Sequence, residues 1–199
     1  MGERSPTRHE RDSGQPWDAS YTGAEPAPWD IGVQPAVLGL PFSGSVLDAG
    51  CGSGEHALWI AARGLRVVGV DVAPTAISRA REKAAARGLS VDFRVQDALH
   101  LERLGERFDT VLDVGLFHAF DAEERRAYVA GLAQVARGTV YVLCFRPAEG
   151  AGPHPVSEAS LRSAFADGWS VESLAEAAID TTFAASVPAW LATIRRMVG

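Results

Sequence analysis

The sequence is short of cysteine, of surplus positive charge and of long apolar runs, and each shortage excludes a class of protein. Its two cysteines, Cys51 and Cys144, stand far apart and outside any C-x-x-C pair. Neither a disulfide framework nor a zinc site of ordinary spacing is expected, and a reducing, cytoplasmic setting is. The 19 Lys and Arg are outnumbered by 25 Asp and Glu, giving a formal charge of -6. Without a basic stripe to neutralise phosphates, the expected partner is a small molecule and not a nucleic acid. No stretch reaches the roughly 18 consecutive apolar residues of a membrane-spanning helix, and the opening MGERSPTRHERDSGQ is too polar for a signal peptide. The expectation is an unexported protein without a membrane partner, monomeric or homodimeric. No internal repeat is visible.

What is present points to one domain, since 199 residues with 47% apolar content can bury a substantial core. Residues 1–15 are polar and charged and predict a disordered tail, one that a ligand could order. Residues 16–43 carry Trp17, Tyr21, Trp29, Ile31, Val33, Val37 and Leu38 among prolines, which predicts an irregular arm, or lid, with a short helix after Pro35. From Ser45 onward valine-rich runs alternate with helical stretches. SVLDAG, RVVGVD, VDFRVQ, FDTVLDVG and TVYVLCF read as strands, and WSVESLAEA and AWLATIRRM as two more. Helices are predicted over EHALWIAARG, PTAISRAREKAAARG, AEERRAYVAGLAQVA and SEASLRSAF. The fold class is α/β, a Rossmann-like, doubly wound, mostly parallel seven-stranded sheet with helices on both faces.

Ligands of such sheets bind beyond the carboxyl ends of the strands, near the first one. There, Asp48 is followed by Gly50, Gly52 and Gly54 at alternate positions before a helix. Glycines let the chain turn sharply and let a ligand approach the main-chain amides closely. No Gly-Lys-Ser/Thr follows, so this is not a triphosphate loop, and Glu55 stands where the dinucleotide fingerprint needs its third glycine. Four acids close successive strands: Asp48, Asp71, Asp97 and Asp113. Asp71, 19 residues after Gly52, suits both hydroxyls of a ribose, although a helix cap before Pro74 explains the same position. Asp97 suits an exocyclic amine of adenine. Together the four suit a cofactor with a ribose, an adenine and a cationic part.

These residues resemble the class I S-adenosylmethionine-dependent methyltransferases. VLDAGCGSG is similar to their first motif, VVGVDVAP to the second, VQDAL to the third and FDTVLDVGLFHAF to the fourth. The resemblance implies that Gly50, Cys51 and Gly52 hold the methionyl part, Asp71 the ribose, and Asp97 with Ala98 the adenine, with the amino group near Asp48 and Asp113. Gly54, His56, Val72 and Val114 belong to the same cofactor set. A narrower likeness joins Trp17 and PWDIGVQPAVLGL to the arm of the thiopurine, thiol and halide methyltransferases, and CFRPAEGAGPHPVSEASL to the loop bordering their acceptor pocket. His154 and Pro155 depart from that pattern, so the acceptor does not carry over. VARGTVYV lacks the usual Pro-Gly-Gly turn, which predicts a shortened connection.

Trp17 and Trp29 are candidates to face a sulfonium, since an indole face near a soft cation contributes roughly 0.5 to 2 kcal/mol. Ordinary packing of the arm is the alternative for both. His118 in GLFHAF falls where acceptor-side groups lie, equally a core position, and His154 sits in the Gly-Pro loop; these two are the candidate catalytic residues. Methyl transfer needs positioning and exclusion of water more than a base, and a thiol is partly ionised already. A thiol or other soft nucleophile is therefore the first acceptor expected, with an O- or N-methyltransferase of secondary metabolism as the alternative. A nicotinamide oxidoreductase or a non-catalytic cofactor-binding protein are the readings from other classes. No metal is expected.

Overall fold

A computed structural model describes residues 4–23, 25–149 and 154–197. Seven strands, β1 (Ser45–Ala49), β2 (Arg66–Asp71), β3 (Asp92–Val95), β4 (Phe108–Val114), β5 (Ala136–Phe145), β6 (Trp169–Ile179) and β7 (Val187–Arg196), form one sheet in the order β3-β2-β1-β4-β5-β7-β6. The first five run parallel, with Leu47 level with Val68 on one side and Val111 on the other. Their valine-rich runs follow from burial on both faces, and Val46, Leu47, Val68, Val70, Val111 and Val140 are all sealed from solvent.

The sheet is mixed. β7 lies antiparallel between β5 and β6, so the array is mostly parallel, as expected, without being purely so. The reason is the connection from Ile179 to Val187, long enough for a hairpin and too short for the dozen or more residues of a crossover. Helices α3 (Glu55–Ala61), α4 (Pro74–Arg87), α5 (Ala122–Val135) and α6 (Glu158–Ala164) cover the faces. Proline at N1 starts α4, and Gly88 ends it with a left-handed cap. α5 passes into β5 without a loop, as the missing Pro-Gly-Gly turn implied.

Residues 4–15, expected as part of a disordered tail, are folded against the domain. Residues 8–13 form α1 (Arg8–Ser13), opened by a Thr7–Glu10 capping box and closed by Gly14 at φ 68°. What holds it is polar: buried Glu10 accepts from Thr7 N–H (2.8 Å), from Trp17 N–H (3.0 Å) and from Arg4. Glu124 accepts from Arg8 N–H and Arg11, and Arg11 also pairs with Asp121 at 2.6 Å, so α1 docks on the start of α5. The arm continues through α2 (Ala19–Thr22) and a 3-10 turn at Pro35–Val37, the short helix expected after Pro35. Asp18 accepts from Thr75 N–H and hydroxyl, capping α4 from a distance. Among the described residues no helix is long and apolar enough to cross a membrane.

Candidate functional site

The loop joining β1 to α3 spends the amides of Gly50, Cys51, Gly52 and Gly54 within the protein. Gly50 and Cys51 N–H both donate to the Val70 carbonyl (2.8 and 2.9 Å), Gly52 N–H donates to Asp71 (2.9 Å), and Gly54 N–H to the Cys51 carbonyl. The expectation that these amides await a ligand is therefore corrected. The glycines at 50 and 52 serve positive φ and close approach instead, for a Cβ on Gly52 would sit 2.9 Å from the Tyr21 hydroxyl.

Gly54 has a different task. It begins α3 at φ 89°, and a Cβ there would lie 2.7 Å from the Phe93 ring and 2.9 Å from Ala80 Cβ. It does not border the cavity that Gly50, Cys51 and Gly52 line; it lets α3 pack against α4 and β3. Gly54→Ala is expected to cost about 2 to 5 kcal/mol of stability, combining left-handed strain with overpacking, measured by urea unfolding.

The strand-end acids divide in two. Asp71 and Asp97 border the cavity, together with Val72, Ala98 and Val114. The Asp71 carboxylate accepts from Gly52 and Ala73 N–H, bracing the glycine loop and the start of α4 at once, and burial pushes its pKa up. Asp97 accepts from Leu99 N–H. Asp48 and Asp113 lie behind the loop, 1% and 0% exposed, and do not border the cavity, so a cofactor amino group has no access to them. The cause is position: both end central strands covered on each face. Burial pushes each up to about 7. Asp113 Oδ1 accepts from Leu116 and Phe117 N–H, while Oδ2 and the buried Tyr128 hydroxyl find no partner of ordinary geometry.

Beyond these acids a cavity of about 330 Å³ runs from the ends of β2 and β3 to those of β4 and β5, roofed by the arm. Trp17 and Trp29 meet edge to face with centroids 5.5 Å apart, and Trp29 Nε1 donates to Tyr21 at 2.7 Å. Asp30, next to Trp29, accepts from the Ser53 hydroxyl; Lys83 reaches the same hydroxyl and pairs with Glu55 at 2.9 Å. The arm is thus clipped to the glycine loop by groups far apart in the chain. Gln34 ties it to the β6–β7 loop through two hydrogen bonds with the Asp180 main chain. Its own N–H donates to His56 Nε2 (3.1 Å), and desolvation pushes that imidazole down to about 4. His56 therefore borders the cavity as a neutral tie between α3 and the arm.

His118 and His154 both border the cavity. His118 stacks on Phe145 with centroids 4.3 Å apart, and its Nδ1 accepts from Phe145 N–H, which leaves the proton on Nε2. Desolvation pushes it down to about 3. His154 stands at φ 57° with Nε2 3.7 Å from Asp12; Gly150 to Pro153, the rest of its Gly-Pro loop, lie outside the described residues. Cys51 and Cys144 are buried, and burial raises both thiols, as suits packing residues and not nucleophiles.

The family model for a methyltransferase domain matches residues 46–138. A 2-heptyl-1-hydroxyquinolin-4(1H)-one methyltransferase of Mycobacteroides abscessus is 40% identical over 179 residues, 81% of this chain and 79% of that protein. The chain belongs to the S-adenosylmethionine-dependent methyltransferases. A solved structure from work on the conversion of a disulfide bond into a thioacetal group during echinomycin biosynthesis is 42% identical to this methyltransferase. It covers 90% of this chain and 88% of its own, with a TM-score of 0.77. Magnesium protoporphyrin IX methyltransferase from Synechocystis, solved with S-adenosylmethionine bound, is 28% identical over 76% of this chain and 69% of that one, TM-score 0.62.

The cavity of this methyltransferase fits its cofactor. Side chains are missing where Gly50 and Gly52 border the cavity, and a carboxylate with spare lone pairs, Asp71, stands at the end of β2. Several bordering residues have no role that the sequence alone assigns. His9, Arg4 and Thr7 come from the segment read as a tail, and Asp30, Gln34 and Ser53 are joined only by the folded arm. The one local signal was Thr7-x-x-Glu10, a capping box that announces a helix start.

Proposed function

We propose that this methyltransferase modifies the hydroxyl of a flat aromatic small molecule. The observation that carries the reading is the far end of the cavity. There the rings of His9, Trp17, Trp29, His118, Phe145 and His154 stand around the space, and burial holds the three imidazoles below their ordinary pKa. Planar rings stack well against such walls. A neutral imidazole suits an acidic hydroxyl, whose proton it can take or whose oxygen it can hold. The Mycobacteroides abscessus relative, by its name, methylates a hydroxylated quinolinone with an alkyl tail. Ile179 and Phe183, the latter 64% exposed at the rim, offer this chain an apolar place for such a tail.

On this reading Asp71 receives the ribose, Asp97 with Ala98 the adenine, and Val72 and Val114 the flanking apolar surface, while Gly50, Cys51 and Gly52 lie against the methionyl part. Trp17 and Trp29 face the sulfonium. When bound, S-adenosylmethionine supplies a methyl group already activated by positive sulfur. The arm excludes water, held down by Asp30 on Ser53 and by Gln34 on the β6–β7 loop. We read the protein as a cytoplasmic monomer or homodimer, without a nucleic-acid or membrane partner; its unpaired, buried cysteines suit that compartment.

A thiol acceptor is the second reading. It is favoured by the likeness to the structure from echinomycin biosynthesis, where the chemistry named is at sulfur. A panel of hydroxyquinolones, phenols, thiols and amines with labelled methyl donor separates the two. Hydroxylated heteroaromatics are expected to exceed thiols in kcat/KM by at least about tenfold, the scale of one well-placed contact in the transition state. Transfer to thiols alone would give the assignment to the second reading.

A further inference from the structure

We propose that α1 completes the acceptor site by delivering His9 as the group that takes the proton from the acceptor hydroxyl. The inference rests on the proposed function and deepens it by naming the base and the element that supplies it.

Three imidazoles border the acceptor end, and they differ in what holds them. His118 has spent Nδ1 on the Phe145 amide, so Nε2 presents N–H and can only donate. His154, which follows Gly150 to Pro153 in its loop, lies with Nε2 3.7 Å from Asp12, too far for a hydrogen bond, and meets His9 edge-on. The His9 ring is fixed by its faces and edges instead. It stacks on Trp17 with centroids 4.1 Å apart and planes 12° from parallel, and meets Trp29 and His154 edge-on at 6.3 and 5.7 Å. Among the described residues neither His9 nitrogen makes a hydrogen bond, so the packing sets the ring's plane and leaves its proton-accepting atoms available. Half-burial is the main cause that holds His9 below its ordinary pKa, helped by His154 and opposed by Glu10 and Asp12 of its own helix; His118 faces it across the cavity. The imidazole is neutral at pH 7, the form a base needs.

The step balances simply. The acceptor O–H bond breaks, the proton passes to the lone pair of a His9 ring nitrogen, and the bonding pair stays on oxygen as the attacking pair; the imidazolium later returns its proton to water. Placing the base on α1 explains why so much polar anchoring serves six residues. Glu10 is buried beneath the helix, and Arg11 spans the Pro6 carbonyl, Asp121 and Glu124.

The test uses the full chain with a hydroxyl acceptor from the panel. His9→Asn and His9→Gln are expected to lower kcat/KM on the order of 10²- to 10⁴-fold, the span of general-base catalysis. Both should keep S-adenosylhomocysteine affinity by calorimetry, which reports folding. The parent's kcat/KM should fall tenfold per pH unit below the His9 pKa, and that limb should vanish in both variants. Tryptophan fluorescence offers a readout independent of turnover, since an imidazolium stacked on Trp17 quenches its indole emission; of the five tryptophans' summed signal, the parent should lose on acidification a fraction that the variants keep. Variants that keep kcat/KM within about threefold, or a Gln variant that restores it, would overturn the role of His9 while leaving the hydroxyl acceptor standing. A parent that methylates no hydroxyl would overturn the proposed function, and with it the need for a base.

Discussion

Asp71→Ala is expected to weaken S-adenosylhomocysteine binding by about 2 to 4 kcal/mol, on the order of 30- to 1000-fold in Kd. Two losses combine. The first is the pair of charge-assisted hydrogen bonds that a carboxylate accepts from ribose hydroxyls on the proposed reading, each among the stronger hydrogen bonds available to a protein. The second is internal, because Asp71 also holds the Gly52 and Ala73 amides at 2.9 Å. Without it two enclosed N–H groups lose their partner, and the glycine loop loses the brace that sets its distance from Tyr21. Asp71→Asn isolates part of the effect, since its single carbonyl oxygen can satisfy one of those amides and keeps one acceptor for the sugar. Its loss should fall between the parent and alanine. Calorimetry on protein that still unfolds cooperatively is the measurement, and a folded Asp71→Ala protein with parental affinity would remove Asp71 from the cofactor site.

The central strands and covering helices were legible because their signals are local: valine-rich runs, proline opening α4, glycine closing it. The order of the last two strands depends on a return that residues 180–186 allow, and only the pairing of β7 with both β5 and β6 makes the sheet mixed. The acids illustrate the limit of strand ends as a guide. Asp48, Asp71, Asp97 and Asp113 occupy corresponding places in sequence, yet depth differs, and depth follows from what packs above each strand. Asp71 opens to the cavity; Asp48 and Asp113 are sealed under the loop and the turn Phe117–Ala119. The N-terminal helix was hidden for a related reason. Composition measures apolar surface, whereas α1 is held by Glu10 and Glu124, carboxylates saturated by amides and guanidinium groups. Pairs such as Asp30–Ser53 and Gln34–Asp180 join segments 23 and 146 residues apart, a distance that no local pattern spans.

The stability of Asp113→Asn relative to the parent is expected to rise between pH 4 and 7, and that of His118→Gln to fall over much the same range. In the folded parent Asp113 titrates near 7 instead of its ordinary 3.8. Its contribution is fully present below pH 3.8, where folded and unfolded chains both hold the proton. It is lost as pH rises toward 7, because only the folded chain must still pay desolvation. Asparagine keeps an oxygen for the Leu116 and Phe117 amides and removes the titration. His118 is displaced the other way, to about 3 from 6.5, so its contribution is full above 6.5 and fades as the unfolded chain takes up a proton below it. Glutamine removes that fading, and the variant therefore declines relative to the parent as pH rises from 3 to 6.5. Each difference can change by up to about 1.4 kcal/mol per pH unit, roughly 4 kcal/mol over the window for sealed Asp113 and less for His118, whose ring borders the cavity. Constant offsets from altered packing do not matter, since the slope carries the test. Asp48 and His56 are displaced in the same opposed directions, so the parent's own pH profile sums all four groups and single substitutions isolate one at a time. Urea unfolding at four pH values measures both slopes. A flat Asp113→Asn difference would mean that its carboxylate is ionised in the fold and that a partner, such as a cation behind the glycine loop, compensates its burial.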